Sequence, residues 1–244
     1  MKKIILMLFI IAVNFVYCAK EEVNLDSIPD SPSDLYRTSQ EELGKNQYNA
    51  AINNINAIVA KDPGNIAAHM ALARAYIKAG DIKNGYNEYE KAMSLGGTSN
   101  PDVVFEYGDF CFRDKMYEKA MHVFMRDKTG NYKNDFGAAV CARFLGNYER
   151  AETYYKRVIA KNSSVSEAYL GLAITYQLKQ DYDSATLNFE KYLLRKRSEE
   201  VYVVLASIYI NKKDYANAKR VIEKGAQDYP ASDKIKKISQ ELYK

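Results

Sequence analysis

Large and small apolar residues recur along this chain at a regular spacing. At six points a large residue is followed three places later by Ala or Gly, and consecutive points lie 31 to 35 residues apart. A period in this range is typical of stacked helical hairpins, because each hairpin buries its apolar face only against its neighbours. The six pairs are Tyr48/Ala51, Ile82/Gly85, Tyr117/Ala120, Tyr148/Ala151, Tyr182/Ala185 and Tyr215/Ala218.

The residues around each pair predict two helices per repeat. Four places after each small residue, which we call the notch, stands a bulky residue, which we call the knob, as Phe124 follows Ala120. Both lie on one face of the second helix. The step from Tyr117 to Tyr148 is the shortest, at 31 residues, and predicts a linker shortened by about one helical turn. Upstream of each pair, residues at helical spacing share one face of a first helix, as in Tyr169, Leu172, Ala173 and Tyr176.

This pattern resembles the tetratricopeptide repeat (TPR), a hairpin of 34 residues with the spacing W-x2-L-G-x2-Y, then A-x3-F, then P. The chain has no Trp, and Tyr, His and Val stand at the Trp position. The resemblance implies an all-α fold, a right-handed superhelical solenoid of about six TPR helix pairs over residues 32–232. Residues 233–244 are predicted to form a capping helix, because their apolar residues follow helical spacing on one side only.

The first 19 residues predict a secretory signal peptide. Lys2 and Lys3 precede an apolar run over residues 4–17, which is short for a membrane span of about 20 residues. Residues 20–31 contain Ser and Pro among acidic residues and predict a flexible tether. We therefore expect an exported protein.

Two outcomes are compatible with the end of this segment. Cys18 resembles the lipidated cysteine of bacterial lipoproteins, although Tyr17 stands where those proteins have a small residue. Cleavage after Cys18 or Ala19 without lipidation is the alternative. The first outcome implies a chain anchored on the envelope side of a membrane, and the second a periplasmic one.

The charge of the chain does not indicate a nucleic-acid partner. The formal net charge is +4, and +2 without Lys2 and Lys3, so no nucleic-acid partner is expected. A basic run at the end of one second helix is interpreted as complementing the helix dipole. This run consists of Lys191, Arg195, Lys196 and Arg197.

The candidate chemical residues are few. His69 and His122 have no ligand partners nearby in sequence, and no catalytic or phosphate-binding motif occurs, so no enzyme activity, metal or cofactor is expected. Cys111 and Cys141 lie on neighbouring first helices. Buried thiols are favoured over a disulfide between them, because packed helices lie 8–10 Å apart and a bridge needs α-carbons within about 7 Å.

The resemblance also implies which residues face a partner, since first helices line the concave face in this family. Chaperone-binding members hold a C-terminal carboxylate at positions that here carry Tyr36, Gln40, Ala71 and Phe105, so that partner class is not expected. The groove-facing positions, which we call the groove row, are Met70, Arg74, Ile77, Phe105, Asp109, Phe112, Phe136, Val140, Arg143, Leu170, Ile174, Gln177, Val203, Ser207 and Ile210.

The groove row is mostly apolar or aromatic, which favours an apolar or helical peptide as ligand. Packing between repeats is an equal alternative for any single residue. The function predicted from the sequence is a non-catalytic protein–protein interaction scaffold or adaptor in the bacterial cell envelope. An accessory subunit of an envelope enzyme and a self-associating structural module are the alternatives.

Overall fold

The computed structural model describes residues 33–243, with side chains from residue 38. The predicted signal peptide, Cys18 and the tether lie outside this part. Residues 33–243 form thirteen α-helices and no strand. The helices are α1 (Ser33–Gly44), α2 (Tyr48–Lys61), α3 (Ile66–Lys78), α4 (Ile82–Ser94), α5 (Pro101–Arg113), α6 (Tyr117–Met125), α7 (Tyr132–Phe144), α8 (Tyr148–Lys161), α9 (Ser166–Leu178), α10 (Tyr182–Leu193), α11 (Glu199–Asn211), α12 (Tyr215–Asp228) and α13 (Asp233–Leu242).

The helices follow one another as six hairpins, in which odd-numbered helices come first, and α13 follows the last hairpin. The predicted all-α fold of six helix pairs and a C-terminal helix is therefore confirmed. Each hairpin turn contains one residue with positive φ, whether or not that residue is glycine. These residues are Asn46, Gly80, Lys115, Gly146, Gln180 and Lys213, with φ between 60° and 86°.

The chain divides into two compact units, whose boundary falls inside α7 between Gly137 and Ala138. In the unit 33–137, the helices of each complete hairpin pack together, α2 packs on α3, and α4 packs on α5. In the unit 138–243, successive helices from α8 to α13 pack in order, and α13 also contacts α11. Ile235 of α13 is 1% exposed, so this helix covers apolar surface at the end of its unit.

The notches and knobs pack as the repeat pattern predicts. The five notch alanines are all fully buried. The knobs also reach the next first helix, which the sequence did not indicate. A Cβ atom on Gly137 would lie 2.5 Å from the ring of Phe124, and one on Gly171 would lie 2.3 Å from the ring of Tyr155. Glycine is thus required where these two rings sit.

The third hairpin corrects one prediction, because the missing residues come from a helix and not from a linker. Helix α6 has 9 residues, whereas α2 and α8 have 14 each. The following loop is held by the carboxylate of Asp127, which accepts hydrogen bonds from the Thr129 hydroxyl (2.7 Å) and the Asn131 backbone N–H (2.8 Å). Burial raises the pKa of Asp127, but these hydrogen bonds outweigh burial and lower it overall. The Asp127 side chain therefore offers nearby backbone N–H groups an alternative to helical hydrogen bonds, and α6 ends early.

In both units, a glutamate on a second helix links its hairpin to the next one. Glu90 of α4 accepts hydrogen bonds from Tyr107 of α5 and from Arg126, which follows α6 directly, both at 2.8 Å. In the other unit, Glu190 of α10 accepts from Tyr209 of α11 (3.0 Å) and Arg220 of α12 (2.5 Å). Burial and the hydrogen bond to Glu190 together raise the pKa of Tyr209 to about 12. Such charge-assisted bonds fix the register between hairpins.

Candidate protein-binding groove

The groove row occupies equivalent places on five first helices. Its members are the fifth, ninth and twelfth residues of α3, α5, α7, α9 and α11. This spacing brings three residues to one face of each helix. The structure therefore aligns the predicted residues within each helix, and their contact with a partner stays a prediction.

In the unit 33–137, three residues of the groove row are half-buried phenylalanines. Phe105, Phe112 and Phe136 each keep part of their surface accessible. The Phe105 ring lies 6.1 Å from that of Phe124, and the Phe112 ring lies 5.3 Å from that of Tyr117. These phenylalanines thus pack on one side and remain accessible on the other, as a ligand-binding row requires.

Arg74, one of the two charged residues of this row, is paired with the next hairpin. Arg74 donates two hydrogen bonds, from Nε and Nη2, to the carboxylate of Glu106 in α5, each at 2.5 Å. The Tyr89 hydroxyl donates to the same carboxylate at 2.7 Å. Both Arg74 and Glu106 are largely buried, at 19% and 14% side-chain exposure. Sequence reasoning missed Glu106, although it stands at the place where the next repeats have Gly137 and Gly171.

In the unit 138–243, the groove row has no aromatic residue, and most of its aliphatic residues are buried. Leu170 and Ile174 are each 9% exposed, and Val140 is 1% exposed. In α11, the Ser207 hydroxyl donates to the Val203 carbonyl at 2.8 Å, so the hydroxyl is satisfied within its own helix. This row therefore presents alkyl side chains and little polarity.

Arg143 is the exception in this second row. Its side chain is buried, with the residue 6% exposed, and the guanidinium lies 5.1 Å from the Phe144 ring. The Nε and Nη2 atoms contact no solvent and have no hydrogen-bond partner among the described residues. Burial raises the pKa of the nearby Tyr155 phenol, and the positive charge of Arg143 opposes that rise. Arg143 is therefore a buried cation within the groove row of the unit 138–243.

The basic run at the end of α10 holds neighbouring hairpins. Arg195 lies 4.3 Å from the ring centre of Tyr169 and donates to the Lys191 carbonyl at the helix end. Lys196 pairs with Glu167 at 3.0 Å, and Arg197 pairs with Asp228 at 3.2 Å. The contact with the helix end agrees with the interpretation from the dipole, and the two ion pairs were not anticipated.

The remaining candidate residues, His69, Cys111 and Cys141, are buried in the fold. His69 Nδ1 lies 2.6 Å from a carboxylate oxygen of Glu88, and Nε2 lies 3.1 Å from the Pro63 carbonyl oxygen. Cys111 and Cys141 are each a buried, reduced thiol. Burial raises the pKa of the Cys111 thiol to about 12, so this cysteine is a poor nucleophile near neutral pH.

Residues 33–243 contain neither a metal-binding cluster nor a membrane-spanning helix. No group of three or more His, Cys, Asp or Glu side chains in this part of the chain could hold a metal ion. No helix there combines the length and the apolar character needed to cross a bilayer.

Comparisons with known sequences give one family. Three sequence profiles described as tetratricopeptide repeat match residues 42–85, 137–200 and 199–227. No curated protein matches the sequence.

Several solved structures have a similar fold. PilW, a type IV pilus biogenesis factor, has a TM-score of 0.58 and 20% identity over 84% of this chain and 96% of its own. PilF of Pseudomonas aeruginosa has a TM-score of 0.59 and 17% identity over 85% and 96%. YrrB, a TPR protein with an unusual peptide-binding site, has a TM-score of 0.55 and 15% identity over 73% and 90%. At these identities the likeness concerns the fold alone.

Proposed function

The chain belongs to the tetratricopeptide repeat family, and we propose that it is a non-catalytic scaffold or adaptor that binds an apolar or helical segment of another protein. The TPR fold supports a role in protein–protein interaction. We place this activity in the bacterial cell envelope, because residues 1–19 have the pattern of a secretory signal peptide. Lipid at Cys18 would hold the scaffold at a membrane, and cleavage without lipid would leave it in the periplasm.

One observation carries the binding proposal. In the unit 33–137, Phe105 and Phe136 are the fifth residues of α5 and α7, Phe112 is the twelfth residue of α5, and all three keep accessible surface. Aromatic side chains supply large contact area at low entropic cost, which is why they dominate binding surfaces. An apolar helix laid along such a row would bury the exposed sides of these rings.

A matched pair of variants tests this proposal. The full chain is used to capture partners from an envelope extract, and the bound proteins are identified and quantified. We expect Phe112→Ser to reduce capture of the main partner about tenfold or more, as for a binding hot spot. Tyr182→Ser is the control, because Tyr182 is an aromatic residue on a second helix and is 43% exposed. It should leave capture unchanged.

Stability measurements separate binding from packing. The melting temperature of Phe112→Ser should stay close to that of the unmodified chain. A loss of several kcal/mol in the free energy of unfolding, as expected when a core ring is removed, would assign Phe112 to the core. Unchanged capture by a stable variant would overturn the groove proposal. Capture of a second copy of the chain or of an envelope enzyme would favour one of the two alternative functions.

A further inference from the structure

The two units differ in charge, although the chain as a whole is only weakly basic. Residues 33–137 contain 13 Lys and Arg against 14 Asp and Glu, a net charge of −1, whereas residues 138–244 contain 19 against 13, a net charge of +6. A charge asymmetry between two parts of a chain is typical of proteins that contact nucleic acid or a membrane. The predicted signal peptide favours the membrane, because an exported chain meets lipid headgroups.

One face of α10 combines positive charge with exposed apolar surface. Leu187 and Leu194 are 52% and 76% exposed. Leu194 follows α10 directly, and its N–H still donates to the Glu190 carbonyl at 3.0 Å, so it continues the helix. The exposed Lys191 lies four residues after one leucine and three before the other, which places all three side chains on one helix face.

Three more cations follow this face directly, namely Arg195, Lys196 and Arg197. Lys196 pairs with Glu167 and Arg197 with Asp228, but the two basic side chains remain 52% and 74% exposed. These carboxylates offset two of the four positive charges between residues 191 and 197. The segment around Leu194 therefore keeps an excess of positive charge that solvent can reach.

The acids of α10 and of the first turn of α11 do not cancel this excess, because each pairs with another cation of the same unit. The pairs are Asp183 with Lys212, Glu190 with Arg220, and both Glu199 and Glu200 with Lys234.

We propose that this face docks the unit 138–243 onto an anionic phospholipid bilayer. The docking surface, which we call the α10 surface, consists of Leu187, Lys191, Leu194, Arg195, Lys196 and Arg197. The leucines enter the boundary between headgroups and acyl chains, while the ammonium and guanidinium groups stay at the phosphates. The proposal rests on the proposed placement in the envelope, but neither on the groove row nor on lipid at Cys18.

Vesicle binding tests the proposal. The mature chain, residues 20–244, is mixed with phosphatidylcholine vesicles that contain either no anionic lipid or about one-third phosphatidylglycerol, and the bound fraction is measured by flotation. This chain lacks the apolar run and Cys18 and keeps every described helix. We expect binding to the anionic vesicles only, and release as the salt concentration rises from about 0.1 to about 0.5 M.

A matched pair of leucine variants tests the apolar contribution. Leu194→Ser should lower the partition coefficient about fivefold or more, because a large apolar side chain no longer enters the bilayer. Leu95→Ser is the control. Leu95 likewise follows a second helix directly and is 41% exposed, but it belongs to the unit 33–137. It should leave vesicle binding unchanged.

A matched pair of charge variants tests the electrostatic contribution. Lys191→Glu should lower the partition coefficient at least tenfold, since each charge near an anionic surface changes it about fivefold and the substitution changes two. Lys83→Glu makes the same change at an exposed residue of α4 and should have little effect. Melting temperatures within about 2 °C of the unmodified chain establish that the variants fold. Leu194→Ala and Lys191→Gln replace any variant that melts lower.

Three outcomes would overturn the proposal. The first is equal binding to neutral and anionic vesicles, and the second is unchanged binding by both α10 variants. The third is a loss with Lys191→Glu but none with Leu194→Ser, which would show a site for a polyanion or an acidic protein and not for a bilayer. Partner capture by the groove is measured separately, so each of these results would leave the scaffold proposal intact.

Discussion

The groove rows of the two units occupy the same helix positions but have different chemistry. In the unit 33–137, the row contains three half-buried phenylalanines, and Arg74 is neutralised by Glu106. In the unit 138–243, the row has no aromatic residue, most of its aliphatic residues are buried, and Nε and Nη2 of Arg143 have no hydrogen-bond partner among the described residues. Arg74, the ninth residue of α3, pairs with Glu106, the sixth residue of α5, whereas Arg143 is the twelfth residue of α7 and the sixth residue of α9 is Gly171.

Packing explains why the second unit has no acid at that place. Gly171 lies against the ring of Tyr155, and even a Cβ atom would come within 2.3 Å of that ring. In α5 the equivalent contact is polar, because the Tyr89 hydroxyl donates to the Glu106 carboxylate. The knob residue of a second helix thus either fills the space left by a glycine of the next first helix or donates a hydrogen bond to an acid there. Only the second arrangement provides a counter-ion for a groove arginine.

Removing the knobs should produce the largest effect and tests whether both units depend on them. Tyr155 and Phe124 are 0% and 2% exposed, so Tyr155→Ala and Phe124→Ala each leave a cavity the size of a ring. We expect each to lower the free energy of unfolding by about 3–5 kcal/mol, measured by denaturant titration. Hydrogen exchange should increase mainly in the hairpins next to the substituted one, because stability in repeat proteins depends on neighbouring contacts.

Tyr182→Ala is the control for the knob variants, since Tyr182 also lies on a second helix but is 43% exposed. It should change the free energy of unfolding by less than about 0.5 kcal/mol. If Tyr155→Ala cost no more than this control, the role of Gly171 as the seat of the ring would be wrong.

The knobs also show how far the sequence alone could lead. The spacing of Ala120 and Phe124 is local, so the period, the helix pairs and the notches were predictable from it. Gly137 and Gly171, which lie against the knob rings, belong to the following hairpin. Their role depends on where each ring points in three dimensions, which residue spacing alone does not give.

Polar partners were predictable only in part, for a similar physical reason. Arg74 and Glu106 are 32 residues apart, and nothing local to either one indicates the ion pair. The early end of α6 depends on Asp127, whose side chain competes with the helix for backbone N–H groups. Lys115 and Gln180 adopt positive φ without being glycine, so the hairpin turns that contain them lacked the usual signal.

A second prediction concerns the two groove arginines directly. Arg74→Met leaves Glu106 largely buried without its cation, so we expect a loss of roughly 1–3 kcal/mol in the free energy of unfolding. Arg143→Met should change stability in the opposite direction. The double variant Arg74→Met/Glu106→Leu should recover most of the loss, because it removes both charges together.

Glu118→Gln is the control here, because Glu118 is an exposed acid on α6 and should be neutral to within about 0.5 kcal/mol. If Arg74→Met and Arg143→Met shifted stability in the same direction, the distinction between a paired and an unpaired groove arginine would have to be given up.

The smallest effect is expected from replacing a glutamate that links two hairpins, and it appears in the pH dependence of the unfolding free energy. Burial alone would raise the pKa of Glu152, but hydrogen bonds from Lys156, Lys179 and Tyr176 outweigh burial and hold the pKa at about 2, below its ordinary value of 4.5. A depressed folded-state pKa stabilises the fold above pH 4.5, and this contribution disappears as the pH falls towards 2. The pKa of Glu90 is also lowered, so the unit 33–137 should behave similarly.

Glu152→Gln should therefore lower stability at neutral pH and flatten the dependence of unfolding free energy on pH between 4.5 and 2. Because Lys156 is more than half exposed, solvent screens the ion pair, and we expect a change below about 1 kcal/mol. Glu241→Gln, an exposed acid on α13, should leave the pH profile unchanged. Denaturant titrations at several pH values measure both variants. If the unfolding free energy of Glu152→Gln depended on pH as steeply as that of the unmodified chain, the hydrogen bonds of Glu152 would not stabilise the packing of these hairpins.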